Sequence, residues 1–408
     1  MDLAVTTEYR FRRTPDGRVW TAANFDHGFW SRYLEVFERV RVVARIEEVL
    51  TVSENCKEST GEHVAFTPLP YYKGSKAFVR RYPELRKRIK EVAESRDAFI
   101  LRVPSTLAGR LAVRLKRSGH PYGAEVVGDP HGVFSPGAVN HPLRSFLRRW
   151  FGREMAVLIR GACSTAYVTR NALQRRYPSS PNVFTTHFSS IVLKDRDLAT
   201  EIRSRKEAKQ RYRLISVGSL EQPYKGMDVL IDAVVVCARS GLDLELKLVG
   251  DGRYRNMLED RVSAKGLKSV VEFTGELPGS CAVREQLDRA DLFVMASRTE
   301  GLPQAMIEAM ARGLPCIGTN VGGIPELLPK EALVPPGEVG ALATKIREMI
   351  TDPQRMRNES RRNLEEARQY RETLLRARRV EFYDHVMRQN EQWLRTTRRD
   401  IRRDVRSA

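Results

Sequence analysis

Two carboxylates on either side of a short loop in the second half of the chain have a spacing that suggests a ligand-binding site. Seven residues separate Glu300 from Glu308, and the segment Gly301-Leu302-Pro303 between them leads from a polar loop into a predicted helix. A carboxylate only accepts hydrogen bonds, so hydroxyl groups, such as those of a sugar ring and a ribose, are its natural partners. Backbone N–H groups at the helix start near Pro303 attract phosphate. The pattern therefore favours a ligand with hydroxyls at both ends of a diphosphate.

A second loop contributes a cation. The segment Leu214–Ala233 reads LISVGSLEQPYKGMDVLIDA, in which a strand ends at Gly218 and a helix follows Lys225. The small residues Gly218 and Ser219 let a ligand approach the backbone closely. The Lys225 ammonium can neutralise a diphosphate leaving group as a point charge. Without a ligand, Lys225 would be an ordinary surface lysine, and Glu300 and Glu308 would be ordinary helix-capping carboxylates. Because all three residues follow predicted strands, we favour a ligand-binding site.

Short β-branched runs alternate with amphipathic helical stretches along most of the chain. This alternation predicts an α/β protein with two tandem doubly wound, Rossmann-like domains. Open α/β sheets bind ligands at the carboxyl ends of their strands, so the two sheets are expected to face a common cleft. The predicted strands are Leu3–Thr7, Val40–Ile46, Val64–Pro68, Ala98–Val103, Gly123–Val127 and Ser164–Thr169, then Arg213–Val217, Leu244–Val249, Val270–Thr274, Leu292–Ala296 and Pro315–Gly318.

The domain boundaries follow shifts in composition. Residues 1–195 are predicted to form an N-terminal, acceptor-side domain, and the polar, charge-dense residues 196–210 a linker. Residues 211–370 form the second domain, which carries the diphosphate-binding groups. Residues 371–408 form a very basic helical tail.

The bulk composition narrows the function classes. The 408 residues carry a formal net charge of +19, which favours anionic partners, although no segment resembles a nucleic-acid-binding module. Five scattered cysteines without a CxxC pair argue against a zinc site or a disulfide framework. There is no apolar run long enough to span a bilayer and no signal-peptide pattern, which predicts a cytoplasmic protein.

The motifs of the second half carry a family resemblance. The pattern GSLxxxYKGxDxLIxA, followed by LKLVGDG, VxFTGELP and EGLPQAMIEAMARGLPCIGTNVGGIPELL, resembles family 4 glycosyltransferases of the GT-B fold over about Arg213–Ile350. The resemblance implies retaining, metal-independent transfer of a sugar from a nucleotide sugar, with UDP or GDP as the expected nucleotide and no cofactor. It implies that Glu300 contacts the donor sugar, Glu308 the ribose and Lys225 the phosphates. It also implies that the tail crosses back to the N-terminal domain.

The chain departs from the family pattern in three places. Ser219 stands where the family often has a phosphate-binding arginine, so another cation is expected to compensate. The usual Gly-Gly loop after the first strand is replaced by an aromatic stretch, Trp20–Trp30. In the first domain Asp129 matches the family's aspartate and is expected to shape the acceptor side, whereas the histidine is displaced to His131 and its role stays open.

The acceptor is expected to be a glycan or a lipid-linked sugar, in the synthesis of a cell-surface polysaccharide or glycolipid. A basic predicted helix, Phe78–Ala93, is expected to rest on the inner, anionic face of the membrane and to insert Tyr72 and Phe78. For the helix Leu143–Ile159, a membrane role and an ordinary solvated basic face stand equally. The cations expected at the membrane or acceptor surface are Arg80, Arg81, Arg86 and Lys87.

Two other functions remain as alternatives. A nucleotide-sugar 2-epimerase would share the fold but needs acid/base groups over the sugar in the first domain, where few histidines and glutamates are well placed. A basic nucleic-acid-binding protein is the weakest hypothesis, because only the net charge supports it.

Overall fold

The computed structural model describes residues 1–133, 143–203 and 211–407, with side chains described up to residue 397. Two separate sheets organise the chain, as the alternating pattern predicted. Nine strands of the described residues form the first sheet. They are β1 (Leu3–Arg13), β2 (Val19–Thr21), β3 (Val40–Glu48), β4 (Lys57–Glu58), β5 (Val64–Leu69), β6 (Ala98–Val103), β7 (Gly123–Val126), β8 (Ser164–Tyr167) and β9 (Phe184–His187).

The first sheet is parallel through its centre. Its parallel strands follow the order β5-β3-β1-β6-β7-β8-β9, and β2 and β4 extend the end of β1 in antiparallel pairing. Every residue of β6 is buried, as expected for a strand covered by helices on both faces. The helices are α1 (His27–Trp30), α2 (Ser75–Ala93), α3 (Thr106–Arg117), α4 (Pro130–Val133), α5 (Arg144–Gly161) and α6 (Ala172–Arg176).

The second sheet contains six parallel strands in the order β12-β11-β10-β13-β14-β15. These strands are β10 (Tyr212–Val217), β11 (Leu244–Val249), β12 (Val271–Gly275), β13 (Leu292–Met295), β14 (Cys316–Thr319) and β15 (Leu333–Val334). The order reverses between β10 and β13, and such a switch point leaves a crevice at the carboxyl ends of the strands.

Helices cover both faces of the second sheet. They are α7 (Met227–Arg239), α8 (Arg255–Ala264), α9 (Gly279–Arg289), α10 (Gln304–Ala311), α11 (Ile324–Leu327), α12 (Val339–Ile350) and α13 (Pro353–Ala367). The start of α13 illustrates local control by sequence: Asp352 caps the backbone N–H of Arg355 at 2.9 Å, and Pro353 occupies the first turn.

The last helix, α14 (Glu372–Ser407), returns to the N-terminal domain and packs against β6, β8 and β9. His120 Nε2 lies 3.0 Å from Asn390 Oδ1, and Trp393 stacks on the His120 ring at 3.8 Å. Gly123 leaves the space that Phe382 and Val386 fill, because a Cβ there would lie 2.6 Å from the Val386 side chain. The tail therefore crosses back as the family resemblance implied.

Several local expectations need correction. The predicted strand Leu3–Thr7 is the first half of a strand twice that length. The sequence pattern also predicts one continuous helix over Phe29–Phe37, whereas the structure has the end of α1 followed by a 3-10 helix at Ser31–Glu35. Strand β9 was not predicted, since its short sequence, FTTH, alternates too briefly to be recognised.

The first part of the predicted linker, residues 196–203, is hydrogen-bonded to the C-terminal domain. Ala199 donates its N–H to the Ala311 carbonyl at 2.7 Å, and the Arg203 guanidinium donates to the Leu287 and Arg312 carbonyls at 2.8 and 3.0 Å. Residues 196–203 therefore lie along the C-terminal domain, while 204–210 fall outside the described residues. Among the described helices, none combines the length and the apolar character that crossing a bilayer requires.

Candidate active site

The predicted diphosphate-binding groups come together at the switch point of the second sheet. Lys225 lies in the loop after β10, and Glu300 lies in the loop after β13, the strand next to β10 in the sheet. Because both strands are parallel, their carboxyl ends meet at one edge.

Lys225 and Glu300 form an ion pair. The Nζ–Oε1 distance is 2.6 Å, and the two side chains are only 16% and 9% exposed. Ser297 also donates its hydroxyl to Glu300 Oε1, at 2.8 Å. Since both partners act on the same carboxylate oxygen, its second oxygen is available for a hydroxyl of a ligand.

Arg298 fixes the two loops to each other, a role that the sequence did not reveal. Its guanidinium donates to both carboxylate oxygens of Asp228, at 2.9 and 2.7 Å, and to the Pro223 carbonyl at 2.8 Å. Such a forked pair also fixes orientation. Gly226 has a φ of 66°, and a Cβ there would overlap the Ala296 carbonyl, so only glycine allows this approach of the loops.

Glu308 lies within α10, on the helix that begins after Pro303. Burial raises the pKa of its carboxyl, and the positive charge of Arg284 partly offsets this. The Glu308 side chain is partly buried, so a hydroxyl donor of a ligand would be a favourable partner for its carboxylate. Leu302, which is partly buried, and Pro303, which is buried, form the apolar turn between the two glutamates.

Gly218 and Ser219 line the lysine loop. A Cβ on Gly218 would lie 3.3 Å from the Lys225 side chain, so the glycine leaves room for the lysine to fold over the strand end. The Ser219 hydroxyl accepts the backbone N–H of Glu221 at 3.2 Å. Arg253 donates to the Glu221 carbonyl at 2.8 Å, which places a cation beside this loop.

The N-terminal domain faces the donor loop at the end of β7. A Cβ on Gly301 would lie 3.2 Å from the Val127 carbonyl, and one on Gly132 would overlap the Thr299 hydroxyl. The loop of Glu300 is therefore in close contact with the segment that follows β7, which carries Asp129.

Asp129 is held by its own domain. Its carboxylate pairs with the Arg176 guanidinium, accepts the Tyr177 hydroxyl at 2.7 Å and accepts the backbone N–H of His131 at 2.9 Å. Burial, together with Arg176 and Arg148, lowers the pKa of His131, so its imidazole is neutral near pH 7. These contacts fix the segment that borders the acceptor side of the cleft.

Glu326 connects the two domains and was not singled out from the sequence. Its carboxylate accepts the backbone N–H groups of Arg170 at 2.6 Å and Asn171 at 2.9 Å, and also that of Ala172. The Arg170 guanidinium donates to the Glu326 carbonyl at 2.7 Å and pairs with Glu366. The one feature of the sequence that could have drawn attention to this residue is the position of Glu326 in the GGIPE segment of the family-like motif.

The predicted membrane-facing cations lie on α2. Arg80, Arg81, Arg86 and Lys87 are all exposed, and Arg81 pairs with Glu84 at 3.0 Å. The expectation that Tyr72 and Phe78 insert into a membrane is wrong for Tyr72, which is 7% exposed. Phe78 is partly buried, with the Arg110 guanidinium over its ring at 5.4 Å.

The comparisons with known proteins agree with this geometry. Residues 211–352 match the family model described as glycosyl transferases group 1. The Staphylococcus aureus protein CapJ is 26% identical over 333 residues, which cover 81% of this chain and 82% of CapJ. The putative colanic acid biosynthesis glycosyltransferase WcaL of Escherichia coli K12 is 35% identical over 142 residues, about a third of each chain (33% and 34%).

A solved structure shows the fold over the whole chain. The Anabaena protein HepE, in its complex with UDP-glucose, superposes with a TM-score of 0.61 at 16% identity, covering 97% of this chain and 99% of HepE. The architecture of two Rossmann-like domains and a returning helix is thus the GT-B fold. The chain therefore has the GT-B fold, and its residues 211–352 are similar to group 1 glycosyl transferases.

Proposed function

We propose that this protein is a retaining, metal-independent glycosyltransferase that moves a sugar from a UDP- or GDP-sugar to a glycan or lipid-linked acceptor. The observation that carries the proposal is the Lys225–Glu300 pair at the switch point of the second sheet, 2.6 Å apart and largely shielded from water. The relative WcaL, described as a putative colanic acid biosynthesis glycosyltransferase, favours a role in polysaccharide synthesis. The complex of HepE with UDP-glucose favours UDP as the nucleotide.

Lys225 is proposed to neutralise the departing nucleoside diphosphate. Negative charge grows on the diphosphate as its bond to the anomeric carbon breaks, and a fixed ammonium in a shielded site stabilises that charge more than water does. Glu300 holds the ammonium in place in the free protein. When the donor binds, the diphosphate takes over part of this pairing and the carboxylate turns to the sugar hydroxyls.

Retention follows if the acceptor attacks from the face that the diphosphate leaves. The acceptor oxygen then forms its bond to the anomeric carbon beside the departing phosphate, whose oxygen takes up the acceptor proton. The Asp129 segment borders this side of the cleft, so it is the proposed acceptor wall. Glu308 is proposed to accept the hydroxyls of the ribose.

The test is turnover with a panel of nucleotide sugars. The purified protein is incubated with each donor and an extract of lipid-linked and free glycans, with EDTA present, and free UDP or GDP and the glycosylated product are measured. The anomeric proton coupling of the product reports retention. Inversion, a requirement for a divalent metal, or failure of every donor to yield product would each overturn the corresponding part of the proposal.

The same panel separates a 2-epimerase from a transferase. An epimerase returns an intact nucleotide sugar with an inverted C2 centre, whereas a transferase releases nucleoside diphosphate in proportion to product. The engagement of Asp129 with Arg176 and Tyr177 favours the transferase, since it leaves that carboxylate poorly placed to act as a base.

A further inference from the structure

Helix α5 presents an apolar stripe to solvent. Leu143, Phe146, Trp150 and Val157 are 58%, 60%, 58% and 60% exposed. Their spacing of three, four and seven residues places them on one face of the helix. Single exposed apolar side chains are common on protein surfaces, but a contiguous row that includes an exposed tryptophan marks an interaction surface.

The stripe borders a groove formed with α3. The groove has a volume of about 380 Å³ and is lined on the α3 side by Ala112 and by Val113, which is 52% exposed. Tyr122 and Leu158 form its floor. We call the surface formed by this groove and the exposed side chains of α3 and α5 around it the α3–α5 face.

Cations flank the apolar stripe. Arg149, Arg153 and Arg160 are exposed and lie about 60° around α5 from the stripe, because each follows a stripe residue by three positions. Lys116 and Arg117 are exposed on α3, at the other side of the groove. None of these five side chains takes part in an ion pair within the described residues. An apolar centre with unpaired cations on both sides complements a surface that is negatively charged outside and apolar beneath.

We propose that the α3–α5 face docks on an anionic phospholipid bilayer, with Phe146 and Trp150 inserted among the lipids and the flanking arginines at the headgroups. An arginine or lysine keeps its charge at the headgroups while its stem lies along the apolar layer. Tryptophan and arginine suit this interface for the same reason. A docking partner with a polar, hydrated surface would leave the apolar stripe of α5 in contact with water, whereas a bilayer covers it with lipid.

The α2 helix lacks an exposed aromatic row although it is equally basic. Its cations Arg81 and Arg88 are paired with Glu84 and Glu91, at 3.0 and 2.9 Å. Its aromatic side chains Phe78 and Tyr82 pack under Arg110 instead of pointing outward. The two helices therefore form a matched pair for an experiment.

Docking through α5 would bring the cleft to the bilayer. The helix packs against α4, whose residue Gly132 abuts Thr299, the neighbour of Glu300. The segment that borders the proposed active site is thus in contact with α5. This inference concerns the surface alone, so it does not depend on whether the transfer reaction is correctly proposed.

The test is sedimentation with sucrose-loaded vesicles of phosphatidylglycerol and phosphatidylcholine, compared with pure phosphatidylcholine. The full-length protein should bind the anionic vesicles and release them as salt is raised. The charge variant Arg149→Glu/Arg153→Glu and the apolar variant Phe146→Ser/Trp150→Ser should each lower the partition coefficient by about a hundredfold. The matched control Arg80→Glu/Arg81→Glu on α2 should change it far less.

Fluorescence gives a second, local measurement. The emission of Trp150 should shift to the blue with anionic vesicles, and the shift should vanish in Trp150→Phe. Circular dichroism melting checks that each variant is folded. Equal binding of all variants, a larger loss in the α2 control, or no binding to anionic vesicles at low salt would overturn the proposal. Dimerisation of the wild-type chain that Trp150→Ser abolishes would assign the face to a second copy instead.

Discussion

Lys225 Nζ lies 2.6 Å from Glu300 Oε1 although 75 positions separate the two residues in the sequence. We expect Lys225→Met to lower kcat by about a hundred- to thousandfold, since removal of one charge-stabilising group at a transition state costs about 2.7–4 kcal/mol. Steady-state kinetics with the identified donor measure this effect. Lys345→Met, at an exposed pair with Glu348, is the control and should keep full activity.

Loss of Lys225 also leaves the Glu300 carboxylate unpaired in a shielded position, which by itself destabilises the fold. The double variant Lys225→Met/Glu300→Gln removes that charge. It should melt closer to the wild type than Lys225→Met does, yet remain inactive. Wild-type turnover in either variant would remove Lys225 from the mechanism.

Glu308→Gln should weaken binding of the nucleoside diphosphate by about tenfold, because a hydrogen bond from a hydroxyl to a carboxylate is stronger than one to an amide. Isothermal titration calorimetry with UDP and GDP measures this change. A 2′,3′-dideoxy nucleotide, which lacks the ribose hydroxyls, should bind the wild type and the variant alike. An undiminished affinity for UDP and GDP in the variant would place the ribose elsewhere.

Glu326→Ala should destabilise the contact between the domains. Three backbone N–H groups of Arg170, Asn171 and Ala172 lose their acceptor. Because these residues are exposed or only partly buried, water replaces part of the lost bonds, and the cost per donor stays below the roughly 1–3 kcal/mol of a fully buried one. Proteolysis between the domains and the melting temperature report the effect, with Glu338→Ala, an exposed residue, as control. Identical melting of both variants would show that the contact of Glu326 with the Arg170 segment does not stabilise the protein.

Removal of residues 371–408 should destabilise the N-terminal domain, because α14 covers β6, β8 and β9. Thermal unfolding followed by tryptophan fluorescence measures this loss. A milder change, Phe382→Ala, removes a fully buried ring and should cost about 3–5 kcal/mol. A matched exposed change, Arg388→Ala, should be nearly neutral. A stable, active protein without the segment would contradict the packing role.

His187 should make stability depend on acid pH. Burial, with Arg378 and Arg170 nearby, lowers the pKa of its imidazole to about 4, below the value of about 6.5 in an unfolded chain. Between these two values the unfolded chain binds more protons, so stability falls as the pH drops from about 6.5 to about 4.

Comparison of variants isolates this contribution from that of the other titrating groups. The fall in melting temperature between pH 7.5 and pH 5 should be smaller in His187→Gln than in the wild type. His63→Gln, at an exposed position, should behave as the wild type does. An equal pH dependence in all three proteins would mean that His187 is solvated in the folded state.

The sequence predicted the parts of the fold that depend on local pattern. Runs such as Ala98–Val103 and Leu244–Val249 are continuous or alternating apolar segments, and each became a strand at the expected place. Short elements such as β9 and the two short helices around Trp30 were not predicted correctly. Their sequences are too short to show whether the chain forms a strand, an α-helix or a 3-10 helix. The GT-B fold and the location of Lys225 and Glu300 after adjacent strands also followed from sequence.

The sequence alone determined the residue types and spacings that a diphosphate-binding site needs, since periodicity and motif spacing are properties of the chain. It could not determine which distant side chains meet. The Arg298–Asp228 clamp and the contact of Glu326 with the Arg170 backbone exist only because packing brings separate loops together. The exposure of Trp150 and the burial of Tyr72 were likewise decided by tertiary structure, because two basic, aromatic helices look alike until their neighbours cover one of them.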